Sequence, residues 1–161
     1  PKVDAIRGIA MGTAMKVVIQ FSRAFWPRDQ ALVFVPHGWA AQVWFRHHDA
    51  VATAFVCGDQ YDLAKAEPHE QLFERFLAQL RTMYTAASVA AATPIAALVY
   101  DWQRNEHVGG AYSYPSANGD VHRRALAAPV DGLVYFAGEA TSFGTGCQGT
   151  IHGAIDSGVR A

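Results

Sequence analysis

The chain has 161 residues, 51% of them hydrophobic and 17% charged, and its 13 basic and 14 acidic residues leave a formal net charge of -1. That balance offers no basic surface for nucleic acid or an anionic membrane, and no apolar run approaches the roughly 20 residues of a membrane span. A length of this order fits one domain or pieces of two and can bury a real core.

Residues 1–11 predict a short helix leading to Gly12. Met15, Val17, Ile19 and Phe21 then alternate with Lys16, Val18 and Gln20, the period of a strand. Residues 31–35 and 39–45 flank Pro36-His37-Gly38 as the two arms of a hairpin, and residues 50–56 predict a third strand. Pro68 suits a first helical turn. After it, Leu72, Phe73, Phe76, Leu77, Leu80, Met83 and Tyr84 form one apolar stripe, predicting a helix packed on a sheet. Residues 95–102 predict another strand, followed by a glycine-containing stretch over 107–118. Residues 133–136 are almost wholly apolar, as in a strand covered on both faces. Gly138-Glu139, a Ser/Gly/Thr loop and an amphipathic helix from about Thr150 complete the chain. Helices mixed with hairpin strands indicate an α+β fold, its last strand, loop and helix borrowed from an α/β domain.

The start of the Thr150 helix presents unpaired amides and about half a positive charge, which suit a phosphate or the charge on a reduced ring system. Gly146 and Gly149 allow a planar ligand to approach the backbone. Glu139 can accept hydrogen bonds from sugar or ribityl hydroxyls, or serve as a cap. Lys16, on an apolar strand, is either a snorkelling side chain or a functional one. His47 and His48 are adjacent on an expected strand and point to opposite faces, so they do not share a metal. Cys57 and Cys147 lack metal spacing and read as reduced thiols of a cytoplasmic protein. There is no carboxylate dyad, Ser-His-Asp order or Walker loop, and Gly144 and Gly146 follow the wrong strand for the Gly-x-Gly-x-x-Gly turn that grips a dinucleotide.

Three ordered motifs together carry a family resemblance. Phe136-Ala137-Gly138-Glu139-Ala140-Thr141-Ser142, Gly149-Thr150-Ile151-His152-Gly153-Ala154 and Ser157-Gly158 resemble the closing motif of the flavin-containing amine oxidases. That superfamily includes monoamine oxidases, polyamine oxidases and lysine-specific histone demethylases. Trp102 and Gly109-Gly110-Ala111-Tyr112-Ser113-Tyr114 are similar to its penultimate motif. Thr13-Ala14-Met15-Lys16-Val17-Val18, with Phe21, Phe25 and Trp26, resembles its lysine-bearing strand.

The resemblance implies that residues 1–103 are part of a substrate-binding domain with a mixed sheet. Residues 104–161 are then the closing segment of a Rossmann-like FAD-binding domain whose dinucleotide-binding part lies outside this chain. The unnatural-looking ends, Pro1-Lys2-Val3 and Val159-Arg160-Ala161, lead to the same expectation of a segment of a longer protein, one that needs its N-terminal part to grip FAD and turn over. Lys16 matches the lysine that holds a water near the reactive flavin nitrogen, where burial is expected to lower its pKa. Tyr112 matches the first aromatic wall of the amine cage, and Trp102 an aromatic packed close to the flavin. Gly138, Glu139, Gly149, Thr150, Ile151 and Ala154 match positions facing the cofactor. Thr150 stands where classical monoamine oxidases have their second cage aromatic, as in the polyamine oxidase and demethylase branches. Ala111 replaces the cysteine that bonds covalently to flavin, so FAD is expected to be noncovalent. The implied activity is oxidation of a primary or secondary, polyamine-like amine to an imine, with hydride transfer to flavin and peroxide release to dioxygen. The alternatives are an L-amino-acid oxidase, with Arg46 as the carboxylate-binding candidate, and a noncatalytic module with a degenerate flavin site.

Overall fold

The computed structural model describes residues 1–115, 118–144 and 146–161. Residues 116, 117 and 145, within the glycine-containing stretch and the last loop, fall outside that description. Two compact units divide the chain, residues 13–106 and residues 1–12 with 107–161. The boundary between residues 106 and 107 stands where the sequence reading places one after residue 103. Residues 1–12, expected with the sheet, belong instead to the second unit, because their backbone pairs there.

The chain opens with α1 (Lys2–Arg7) and β1 (Ile9–Met11), so the single helix expected over residues 1–11 breaks at Gly8. In the unit of residues 13–106, β2 (Ala14–Phe21), β3 (Leu32–Phe34), β4 (Gln42–Arg46) and β5 (Val51–Cys57) are followed by α2 (Asp59–Ala64), α3 (His69–Met83), α4 (Ala86–Ala90) and β6 (Pro94–Asp101). The strands form one sheet in the order β3-β4-β5-β2-β6. All its ladders are antiparallel, where a mixed sheet was expected. The long excursion through the helices brings β6 back antiparallel to β2, so no parallel crossover arises.

Alternation along β2 sends Met15, Val17, Ile19 and Phe21 into the core, where they join Leu72, Phe76 and Leu80 of α3. Each such burial is worth about 1.5–3 kcal/mol. The Gln79 side chain locks α3 to the hairpin, donating to the Ala40 carbonyl and accepting from the Ala40 amide, both at 2.8 Å. Phe21, Phe25, Trp26, Phe45 and Tyr84 pack mostly edge to face. His47 and His48 lie in the β4–β5 turn and not on a strand.

The second unit adds β7 (Ser113–Pro115), α5 (Gly119–Ala127) and α6 (Ile151–Arg160). β1 pairs with β7 antiparallel, with Met11 opposite Ser113. Gly8 is where α1 meets α5, since a Cβ there would come within 2.4 Å of the His122 ring. The Lys2 ammonium donates to the carbonyls of Ala125, Leu126 and Ala128, covering oxygens that the end of α5 leaves unpaired. The buried strand expected over residues 133–136 is not formed. Val134 makes one isolated bridge to Val130, and Leu133 is 83% exposed. A strand covered on both faces needs ladder partners, and none of the described strands pairs with this run. No helix among the described residues is long and apolar enough to cross a membrane.

Candidate functional site

Within residues 13–106, Lys16 lies on the sheet face opposite the core and is exposed. Its cross-strand partners are Phe55 on β5 and Tyr100 on β6. Tyr100 in turn meets Trp102 edge to face, ring centroids 4.6 Å apart. Lys16, Tyr100 and Trp102 therefore form one continuous patch. Tyr100 went unremarked in the sequence, although it precedes Trp102 by the two residues that return a strand to the same face.

A carboxylate network holds the Trp102 turn. Asp101 accepts from the Gln103 amide at 3.0 Å, from the Tyr61 hydroxyl at 3.1 Å, and pairs with the Arg104 guanidinium at 3.2 Å. Burial of the Tyr61 phenol, reinforced by its hydrogen bond to Asp101, pushes its pKa up to about 12. Arg46, the amino-acid carboxylate candidate, is paired with Asp49 beside His48 in the β4–β5 turn. Among the described residues no group of three or more His, Cys, Asp or Glu side chains could hold a metal.

In the other unit the expected residues converge around α6. Gly138 adopts φ +123°, a conformation costly for a side chain, and opens the short 3-10 turn Glu139–Thr141. The Glu139 carboxylate accepts from the Ser113 amide at 2.8 Å, the Ser113 hydroxyl at 2.7 Å and the Gly149 amide at 2.8 Å. It thus ties β7 to the loop before α6. Behind it, Arg123 is only 1% exposed and donates through Nη1 to the carbonyls of Glu139 and Ala140, at 3.3 and 3.0 Å. Its Nη2 is buried without a hydrogen-bond partner among the described residues.

Thr150 caps α6, its hydroxyl accepting from the Gly153 amide at 3.1 Å. A Cβ at Gly153 would come within 2.2 Å of the Cys147 carbonyl, so the helix start lies directly against the loop. Ser157 accepts from the Gly138 amide at 2.8 Å and donates to the Ala154 carbonyl at 2.7 Å. Ala154 is half-buried behind the cap, and Ile151 is 77% exposed.

Tyr112 flanks Gly149, whose φ is +70°, with its Cδ2 3.8 Å from where a Cβ would stand. Tyr112, Ser113, Asp120, Arg123, Gln148 and Gly149 line a cavity of about 480 Å³. Tyr112, Gly138, Glu139, Gly149, Thr150, Ile151 and Ala154 are all assembled by this unit. Ser113, Arg123 and Ser157 were not anticipated as part of that assembly. Only Ser113 and Ser157, which fall inside the quoted motifs, carried any signal.

The sequence model of the family described as flavin containing amine oxidoreductase matches residues 1–161. The chain is 30% identical over 178 residues to Polyamine oxidase 3 of Oryza sativa subsp. japonica, a match covering 99% of the chain and 33% of that protein. It is 28% identical over 170 residues to Lysine-specific histone demethylase 1 homolog 1 of Arabidopsis thaliana, covering 99% of the chain and 20% of the relative. A solved structure of wild-type putrescine oxidase bound to putrescine matches 98% of this chain and 36% of that one, with a TM-score of 0.78 and 22% identity. The chain thus spans a third or less of the length of these curated relatives.

Proposed function

The chain belongs to the flavin-containing amine oxidoreductase family, and from that premise we propose that it supplies the substrate-facing and ring-facing parts of an FAD-dependent oxidase of polyamine-like amines. The activity is proposed for a protein of its relatives' length that carries this segment. Residues 13–106 furnish the substrate-facing sheet, and residues 107–161 with 1–12 the flavin-facing turn and helix. The observation that carries the reading is that Tyr112 and Gly149 pack together in the lining of one cavity, with Gly149 directly preceding the Thr150 cap of α6.

The residues present fit a flavin. Gly138 and Gly146 both have positive φ and open space where a Cβ would stand, so a flat ring system can approach the main chain there. The start of α6 follows Gly146 closely in the chain, and the positive end of its helix dipole is complementary to a ring that gains negative charge. Gly138, Gly149 and the Thr150 helix start would hold the flavin, which would supply two-electron oxidation of the amine-bearing carbon, with dioxygen as the final acceptor and hydrogen peroxide as its product.

The protein's part is orientation and charge. Tyr112 offers an aromatic face to the cationic amine, an attraction of about 0.5–2 kcal/mol. Thr150 leaves the opposite side open, which admits a long flexible polyamine. Lys16 holds a water and moves protons, with Tyr100 and Trp102 beside it. Ala111 provides no thiol, so the flavin is held noncovalently.

Peroxide release by the full-length protein, assayed across polyamines, monoamines and L-amino acids, tests this. Polyamines or diamines should be oxidised most efficiently, and Lys16→Met should slow flavin reduction or reoxidation. Turnover confined to L-amino acids, or both rates unmoved in Lys16→Met, contradicts it.

A further inference from the structure

The Glu139 carboxylate is turned toward its own unit. Three donors converge on it, and all belong to the two segments that carry the candidate site. The Ser113 amide and hydroxyl sit next to Tyr112, and the Gly149 amide sits next to the Thr150 cap. The backbone of the same residue is gripped from the other side by Arg123, which is buried and bridges two successive carbonyls. Charge-assisted bonds of 2.7–2.8 Å are short and strongly directional. A carboxylate committed in this way serves geometry more than ligand contact.

We propose that Glu139 is a positioning residue that fixes Tyr112 against the start of α6, with Arg123 as its brace. One carboxylate then sets both the amine-facing wall and the ring-facing helix end. The proposal rests on the flavin amine oxidase reading for its effect on turnover, but not for the clamp itself.

Substitution by glutamine discriminates well because it keeps length and volume. The Ser113 amide bonds to Oε1 and the Gly149 amide to Oε2, so a glutamine, which has an oxygen at only one of those places, cannot serve both. With its oxygen on Ser113, its NH2 group faces another N–H at Gly149. Ser113→Ala is the milder variant, removing the hydroxyl donor and leaving both amide bonds in place.

The test uses the full-length flavoprotein, with three readouts. Amide hydrogen exchange reports the clamp, visible circular dichroism reports the flavin surroundings, and steady-state kinetics with a diamine separate KM from kcat at saturating FAD. Glu139→Gln should speed exchange at Gly149 and alter the flavin dichroism. It should also raise KM about tenfold, as expected for the loss of roughly one hydrogen bond's worth of positioning. Ser113→Ala should move the same readouts in the same direction by about twofold to threefold. Wild-type exchange at Gly149 in Glu139→Gln overturns the clamp. Faster exchange with unchanged dichroism and KM in an active enzyme overturns the positioning role. If the wild type oxidises no amine, the functional reading fails, while exchange and dichroism still decide the proposal.

Discussion

In residues 13–106 the buried side chains are apolar apart from Gln79, with Val17, Ile19, Phe21, Val43, Val56, Phe76 and Leu80 all at 1% exposure or less. In residues 1–12 and 107–161 the buried apolar side chains among the described residues are Ala5 and Ala127, whereas Ser113, Arg123, Thr141, Ser142 and Ser157 are buried and polar. The helices show the same contrast. Leu72, Phe76 and Leu80 turn α3 into the core, while α6 turns Gly153 and Ser157 inward and leaves Ile151, Ile155 and Val159 at 77%, 60% and 85% exposure. Apolar burial is non-directional and supplies most of the stability, whereas hydrogen bonds add modest net stability but fix angles. The first unit is therefore held mainly by apolar packing, and the second holds its loops at defined geometry through hydrogen bonds.

The largest expected effect is in the first unit. Phe76→Ala should cost about 3–5 kcal/mol, read as a lower denaturation midpoint by tryptophan fluorescence. A loss below about 1 kcal/mol would mean that the apolar core is not what holds this unit. In the second unit Ser157→Ala removes the acceptor of the Gly138 amide and should cost about 1–2 kcal/mol. Amide exchange should rise at Gly138 and through α6, leaving β2 and β5 protected. Protection lost equally in both units would break the contrast. The smallest effect is absent at neutral pH and concerns Tyr61. Its phenol titrates at 10 when unfolded and near 12 in the fold, so its stabilisation is fully present below pH 10. The benefit declines as pH rises through that window and is gone above it. Denaturation midpoints followed from pH 9 to 12 should fall, and Tyr61→Phe should flatten that slope.

The first unit was largely legible in the sequence because its information is local. The alternation of β2 and the stripe of α3 are visible within about twenty residues, as is the start of α6 near Thr150. Residues 133–136 misled because an apolar run identifies a strand only if a partner ladder exists, and no described strand provides one. Residues 9–11 carry no local sign of a strand because their β7 partner lies about a hundred positions away. The roles of Arg123 and Glu139 were not legible for the same reason. Arg123 binds main-chain carbonyls 16 and 17 positions distant, and Glu139 meets Ser113 across 26. Side-chain contacts with distant backbone leave no periodic trace. The family motifs make Tyr112, Glu139 and Thr150 expected site positions, but the direction of the Glu139 carboxylate needed the fold.

The most direct test of the functional reading is an anaerobic titration of the full-length protein with a diamine. The account predicts a yellow protein whose flavin absorbance bleaches on adding the amine and returns on admitting oxygen, with peroxide formed in step. A protein purified without flavin, or a flavin band left unchanged by diamines and polyamines, would contradict it.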